Sequence, residues 1–173
     1  ERKKAIHYHL FQDVYDWAGQ IRTVPSSKIT QSLMSEFENP NLIIKSWENL
    51  EKKTESFVKT RYENFESKLD DLTNIFIEAN RIHPFPEGNG RSLQVFMKQL
   101  AQEQNIELDF SKVNANEWNL ASAVSGKHGR LFDFVKEQLP PPNHDPIKKI
   151  FQEISKEINI IENNTLEPIR RID

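Results

Sequence analysis

Ile82-His83-Pro84-Phe85-Pro86-Glu87-Gly88-Asn89-Gly90-Arg91 sets an imidazole, a carboxylate, two glycines and a guanidinium between two segments of helical period. Upstream, Leu69, Leu72, Ile75, Phe76, Ala79 and Ile82 recur at spacings of three and four, the stripe of a helix with one buried face. That helix runs into Pro84, which has no amide to donate and restricts its predecessor, so His83 is expected at the helix end with its side chain outside the regular stack. Downstream, Leu93, Phe96, Met97, Leu100 and Ala101 restart the period, which makes Gly88-Asn89-Gly90 the turn into a second helix. Helix N-termini carry unpaired amides and partial positive charge, and both favour an anion there.

The residue types then take roles. Gly88 and Gly90 accept positive φ and let backbone amides close on phosphate oxygens. Asn89 offers a neutral amide to the same oxygens, and Arg91 a permanent charge on a planar donor fork. Glu87 is a hard oxygen ligand of the kind Mg²⁺ uses together with phosphates and water. His83 titrates near neutrality and suits removal of a proton from an attacking hydroxyl. Phe85, an apolar ring in a polar loop, reads as the loop's anchor in the core. The stretch is not a Walker A loop, since no Lys-Ser/Thr pair follows the glycines, and it lacks the spacing of dinucleotide-binding turns.

These residues resemble the Fic (filamentation induced by cAMP) family, whose motif H-P-F-x-D/E-G-N-G-R is matched at every fixed position from His83 to Arg91. The likeness extends to Glu78-Ala79-Asn80-Arg81-Ile82 and to the run from Ile6 to Arg22, where Trp17-Ala18-Gly19-Gln20-Ile21-Arg22 looks like the family's W-A-G-x-x-R segment. The resemblance implies a protein adenylyltransferase that moves AMP from ATP to a Ser, Thr or Tyr hydroxyl of a target protein. Carried over, His83 is the base and Glu87 holds the Mg²⁺ that bridges the α- and β-phosphates. Gly88, Asn89 and Gly90 cradle phosphates, and Arg91 neutralises charge on the departing pyrophosphate. Phe85 and Gln94 complete the set expected at the nucleotide.

The sequence departs from the family in two places. Many members carry a second arginine three residues after the first, against the γ-phosphate, and Gln94 stands there instead. Gln donates a hydrogen bond but no charge, which leaves open a Fic-fold transferase with another donor (a kinase, or UMP or phosphocholine transfer) and a catalytically idle nucleotide-binding adaptor. Many members also contain an inhibitory S/T-x-x-x-E-G/N helix. The Glu-Asn and Glu-Gly pairs at Glu38, Glu48, Glu63, Glu87 and Glu162 are preceded four places earlier by Met34, Ile44, Lys59, His83 and Ile158, so none qualifies. Inhibition is therefore expected from a separate antitoxin-like protein or from sequence upstream, the chain opening at Glu1 without methionine as a piece of something longer would. Pairing into homodimers is a further implication of the family.

Helical period covers residues 4–16, 40–60, 66–82, 92–104, 115–124, 130–138 and 146–162, which predicts an all-α, Fic-type helical bundle. Alternation around Pro25 over residues 21–33 predicts a short β-hairpin, the family's flap, on which a target peptide docks by strand addition. Ser27-Lys28 matches the flap pattern, whereas Ile29-Thr30 stands where glycine is common. Residues 1–139 form the expected catalytic domain, with flap 21–33 and loop 83–91. Residues 140–173 form an extension in which Pro140-Pro141-Pro142 breaks the chain before a helix whose Ile147, Ile150, Phe151, Ile154 and Ile158 stripe packs on the bundle. His7 and His9 point to nearly opposite faces of a helix and do not suggest a metal site. Gly126-Lys127-His128-Gly129-Arg130 reads as a solvated turn.

At 173 residues, one domain with a sizeable core is expected. A net charge of -3 and pI near 6.0 give no electrostatic footprint for nucleic acid. No run approaches a membrane span, and the absence of cysteine fits a reducing compartment, so a cytoplasmic protein, or one delivered into a host cytoplasm, is expected.

Overall fold

The structure is a computed structural model that describes residues 1–158. Its helices are α1 (Arg2–Phe11), α2 (Ile43–Lys59), α3 (Phe65–Ile82), α4 (Asn89–Gln102), α5 (Ala115–Val124), α6 (Leu131–Val135) and α7 (Asp145–Ile154), and its strands are β1 (Ser27–Thr30), β2 (Leu33–Glu36), β3 (Ile106–Leu108), β4 (His128–Gly129) and β5 (Ser155–Glu157). α3 is central, packed on α2, α4 and α7, while α1 lies on α4.

Local chemistry starts and stops these elements. The Asn64 side chain accepts from the Ser67 amide at 2.8 Å to open α3, and Asn114 accepts from the Asn116 and Glu117 amides to open α5. α3 ends because Pro84 follows; His83 closes it in the left-handed region, φ 44° and ψ 62°. The apolar stripes meet in one core in which Phe76 of α3 lies 4.9 Å from Trp118 of α5 and 5.2 Å from Phe151 of α7, ring centre to ring centre.

The predicted helical bundle stands, with more sheet than expected. The hairpin pairs β1 with β2 from Ser27↔Glu36 to Thr30↔Leu33, several residues beyond the predicted start at Ile21. Arg22 is engaged elsewhere: its amide donates to Pro84 O at 2.8 Å and its buried side chain reaches the end of α3. The run 126–130 is not a solvated turn, since β4 adds to β2 through Met34↔Gly129 and Ser35↔His128 and both β4 residues are buried. α1 also stops earlier than predicted, at Phe11, where turns lead to Gly19 with φ +77°. The last helix ends at Ile154 because Ser155–Glu157 finds backbone partners on β3, with Asp109 N–H donating to Ile154 O at 2.9 Å. Ile147, Phe151 and Ile154 are buried in the core, Ile158 is exposed beyond the strand, and residues 159–162 of that predicted helix lie outside the described residues. Among the described residues no helix is long and apolar enough to cross a membrane.

Candidate active site

The α3–α4 loop is held from three sides. Beneath it, Phe85 is fully buried, with the His7 ring 3.8 Å from its own and Trp47 edge-on at 6.1 Å. Within it, the Asn89 side chain is consumed by the turn: Oδ1 accepts from Phe85 N–H at 2.9 Å and Nδ2 donates to Phe85 O at 2.7 Å. Beside it, Arg22 donates to the carbonyls of His83 (2.7 Å), Val24 (2.8 Å), Glu38 (2.5 Å) and Ile82 (3.3 Å). A cation is favoured at a helix C-terminus, so this guanidinium both satisfies the last carbonyls of α3 and opposes its dipole.

His7, fully buried on α1, joins the Trp-Ala-Gly turn to the loop. Gly19 N–H donates to Nδ1 at 3.0 Å, which places the ring proton on Nε2, 2.8 Å from Glu87 O. Burial holds its pKa below the ordinary histidine range, with the charges of Lys3 and Arg91 acting the same way and the Glu87 carbonyl opposing.

α4 begins at Asn89, three residues before its predicted start, so Asn89, Gly90 and Arg91 form its first turn and their amides have no partner within the helix. Gly88 caps it at φ +76°, and a Cβ there would stand 2.5 Å from the Phe11 ring. Gly90 has no positive φ, and a Cβ there would meet nothing within 4 Å. The Gly88 amide is occupied by Glu87 Oε1 at 3.0 Å.

A cavity of about 260 Å³ opens above this turn, bordered by His83, Glu87, Asn89 and Gly90 below, by Lys28 and Ser35 of the hairpin, and by Asn119 and Ser122 of α5. Lys28 Nζ donates to Asn119 Oδ1 at 3.1 Å across it. Ser35 Oγ and Ser122 Oγ are buried without a hydrogen-bond partner, which is costly unless something else satisfies them. His83 lies at the floor, and burial pushes its pKa down to about 3, helped by the charges of Lys3, Arg22 and Lys28 and opposed by the backbone of Asn80. Phe37, just after β2, stacks on the imidazole with centres 3.5 Å apart and planes at 4°.

His83, Glu87, Asn89 and Gly90 thus border one cavity, with four corrections to the sequence-based expectations. Phe85 is sealed in the core; Gly88 lies outside the lining with its amide taken by Glu87; the Asn89 side chain is taken up by the turn; Gly90 has no positive φ. Arg91 and Gln94 stand outside the cavity lining: the Arg91 guanidinium rests 4.6 Å over the Phe11 ring, and Gln94 is half-buried on α4. Arg22 stands in the sequence only as part of a motif, and nothing in the sequence marks Phe37, Ser35 or Ser122, whose placement depends on tertiary contacts. Among the described residues no group of three or more His, Cys, Asp or Glu gathers as a metal site. One carboxylate beside a helix N-terminus fits a Mg²⁺ that arrives with phosphates, because such ions take one or two protein carboxylates and fill the rest of their shell from phosphate and water.

A sequence model described as the Fic/DOC family matches residues 1–101, the stretch that contains α1, the hairpin and the loop. The chain belongs to the Fic/DOC family. This Fic chain is 37% identical over 112 residues to the probable protein adenylyltransferase y4lH of Sinorhizobium fredii, covering 64% of this chain and 56% of that protein. It is 27% identical over 170 residues to a protein adenylyltransferase of Bartonella henselae, covering 87% of this chain and 27% of the relative. The Fic chain therefore spans about half of the first relative and about a quarter of the second. In fold it is similar to the BepC protein of Bartonella tribocorum, solved with bound AMPPNP, with a TM-score of 0.73, 21% identity, and coverage of 91% of this chain and 74% of that one.

Proposed function

We propose that the chain is a protein adenylyltransferase that moves AMP from ATP to a Ser, Thr or Tyr hydroxyl of a target protein. The observation that carries this reading is the convergence in one cavity of His83, the free amides that open α4, and two buried hydroxyls that lack a protein partner. The names of the similar proteins support the same chemistry.

In this reading the amides of Asn89 and Gly90 receive phosphate oxygens. Glu87 would hold a Mg²⁺, which would supply neutralisation of phosphate charge. Burial keeps His83 neutral near pH 7, with a lone pair free to accept, and the negative charge of a bound triphosphate raises its proton affinity toward what a base needs. His83 takes the proton of the target hydroxyl as that oxygen bonds to the α-phosphorus. The bond from the same phosphorus to the α,β-bridging oxygen breaks, and pyrophosphate leaves with the electron pair. Arg91 moves off Phe11 to neutralise the leaving group. β1 is an edge strand whose Ser27, Lys28 and Ile29 are exposed, so its open side accepts a strand of the target. ATP as donor sets the reaction in a cytoplasm, the cell's own or a host's.

A second reading keeps the fold and changes the donor. It is favoured by Gln94 in place of a second arginine and by the position of Arg91 outside the cavity, which together leave the far end of a triphosphate with little fixed charge. Incubation of the chain with Mg²⁺, lysate and ATP labelled at the α- or the γ-phosphate separates the two. Label from the α-phosphate that disappears in His83→Ala, while ATP binding persists, is the expected result. Label from the γ-phosphate points to a kinase, and tight ATP binding with no label points to an idle adaptor.

A further inference from the structure

A base must present an edge of its ring to the incoming hydroxyl, and an imidazole on a single-bonded stem turns freely enough about its outer torsion that something must fix the plane. At His83 the backbone of Asn80 bears on one edge of the ring and Phe37 covers its face. The two rings lie face to face, 3.5 Å between centres and 4° between planes. The seat of Phe37 is itself tied down. Its amide donates to Ser26 O at 3.2 Å, and the next amide, of Glu38, to Arg81 O at 3.0 Å. Glu38 O accepts from Arg22 at 2.5 Å, while the Glu38 carboxylate is held by Ser46 of α2 at 2.6 Å and by Arg81 of α3 at 2.5 Å. The start of the flap thus holds Phe37 itself, while α2 and the last turn of α3 hold its neighbour Glu38.

We propose that Phe37 is a positioning residue for the proposed base: it fixes the plane of the His83 ring and makes the flap and the base move as one piece. Because the flap is where a target docks in the reading above, on which this inference rests, target engagement and base alignment become a single event. The charged groups that face His83 are Lys3 from α1, Arg22 from the segment before the flap, Lys28 from β1 and Glu87 from the loop. Phe37 adds no charge to them, so a change in proton affinity on replacing it reports water gaining the ring face.

The test uses the full chain with ¹⁵N-labelled histidine, His83 being assigned by its loss in His83→Ala. Phe37→Leu keeps apolar bulk without the flat ring, Phe37→Ala uncovers the face, and Phe37→Tyr restores a ring. Expected for Phe37→Leu is a fall in kcat of about 10-fold or more with the KM for ATP within about 2-fold, since alignment and not nucleotide binding is lost. Expected for Phe37→Ala is, in addition, a rise of about one pH unit or more in the His83 titration midpoint, and for Phe37→Tyr a rate well above that of Phe37→Ala. Wild-type kcat in Phe37→Leu, or an unmoved His83 midpoint in a folded Phe37→Ala, overturns the proposal. A histidine spectrum of an unfolded chain in Phe37→Ala passes the decision to the Leu and Tyr variants. The titration needs no turnover: a wild-type chain that transfers no AMP sinks the adenylyltransferase reading, whereas the Phe37→Ala midpoint judges the stacking on its own.

Discussion

His7 spends both ring nitrogens on structure, one accepting from Gly19 and one donating to the carbonyl of Glu87. His7→Phe keeps a ring against Phe85 but leaves a buried amide and a carbonyl unmet, at about 1–3 kcal/mol each. A lower urea midpoint is expected, with weaker Mg²⁺·ATP binding because Glu87 loses its tether; calorimetric titration checks the latter. His83 contributes an acid sensitivity whose sign is fixed by its depressed pKa. Between about 6.5 and about 3 the unfolded chain binds a proton that the folded chain refuses, so stability falls as pH drops through that window. His83→Ala is expected to flatten this slope by on the order of 1 kcal/mol per pH unit, measured by urea unfolding at pH 4, 5 and 7. The place of His83 was legible because a proline one residue on stops a helix by covalent rule. The task of His7 was not, because its spacing from His9 reports only a helix face and both its partners lie in other segments.

At the scale of elements, the two glycines of the loop separate cleanly. Gly88→Ala meets a positive φ and the Phe11 ring, and a loss of roughly 2 kcal/mol or more is expected, read as a lower melting temperature. Gly90→Ala sits in a helix first turn facing open space, so the folded chain is unchanged or stabilised by about 0.5–1 kcal/mol. Its methyl, though, intrudes on the cavity, and nucleotide affinity is expected to drop. A lower melting temperature in Gly88→Ala beside an unchanged or higher one in Gly90→Ala is the pattern to look for. Periodicity found the long helices well, 40–60 against Ile43–Lys59 and 66–82 against Phe65–Ile82, because their apolar stripes are long and regular. It misplaced the flap since residues 21–24 look extended yet serve Arg22, and it missed β3, β4 and β5, which are two or three residues long and exist only because another strand lies beside them.

Across the whole molecule, one buried charge stands out. Lys3 is 3% exposed, with its ammonium 5.5 Å over the Trp47 ring, and burial pushes its pKa down to about 7. From about 7 to 10.5 the unfolded chain holds the proton more firmly than the folded one, so this group's cost shrinks as pH rises. Lys3→Met is expected to raise the melting temperature at pH 7 by an amount worth a few kcal/mol at most, with the gap to wild type narrowing by pH 10. The core that buries Lys3 was readable as apolar stripes; the burial of the lysine itself was not, since a helix surface drawn from sequence does not say what lies across from it. Arg22 shows the same limit at longer range, because one side chain gathers carbonyls from Val24, Glu38, Ile82 and His83. Anyone exchanging this flap for that of a related protein would therefore be editing the terminus of a helix sixty residues away, and a graft that omits the guanidinium should arrive with its strand edge intact and its imidazole adrift.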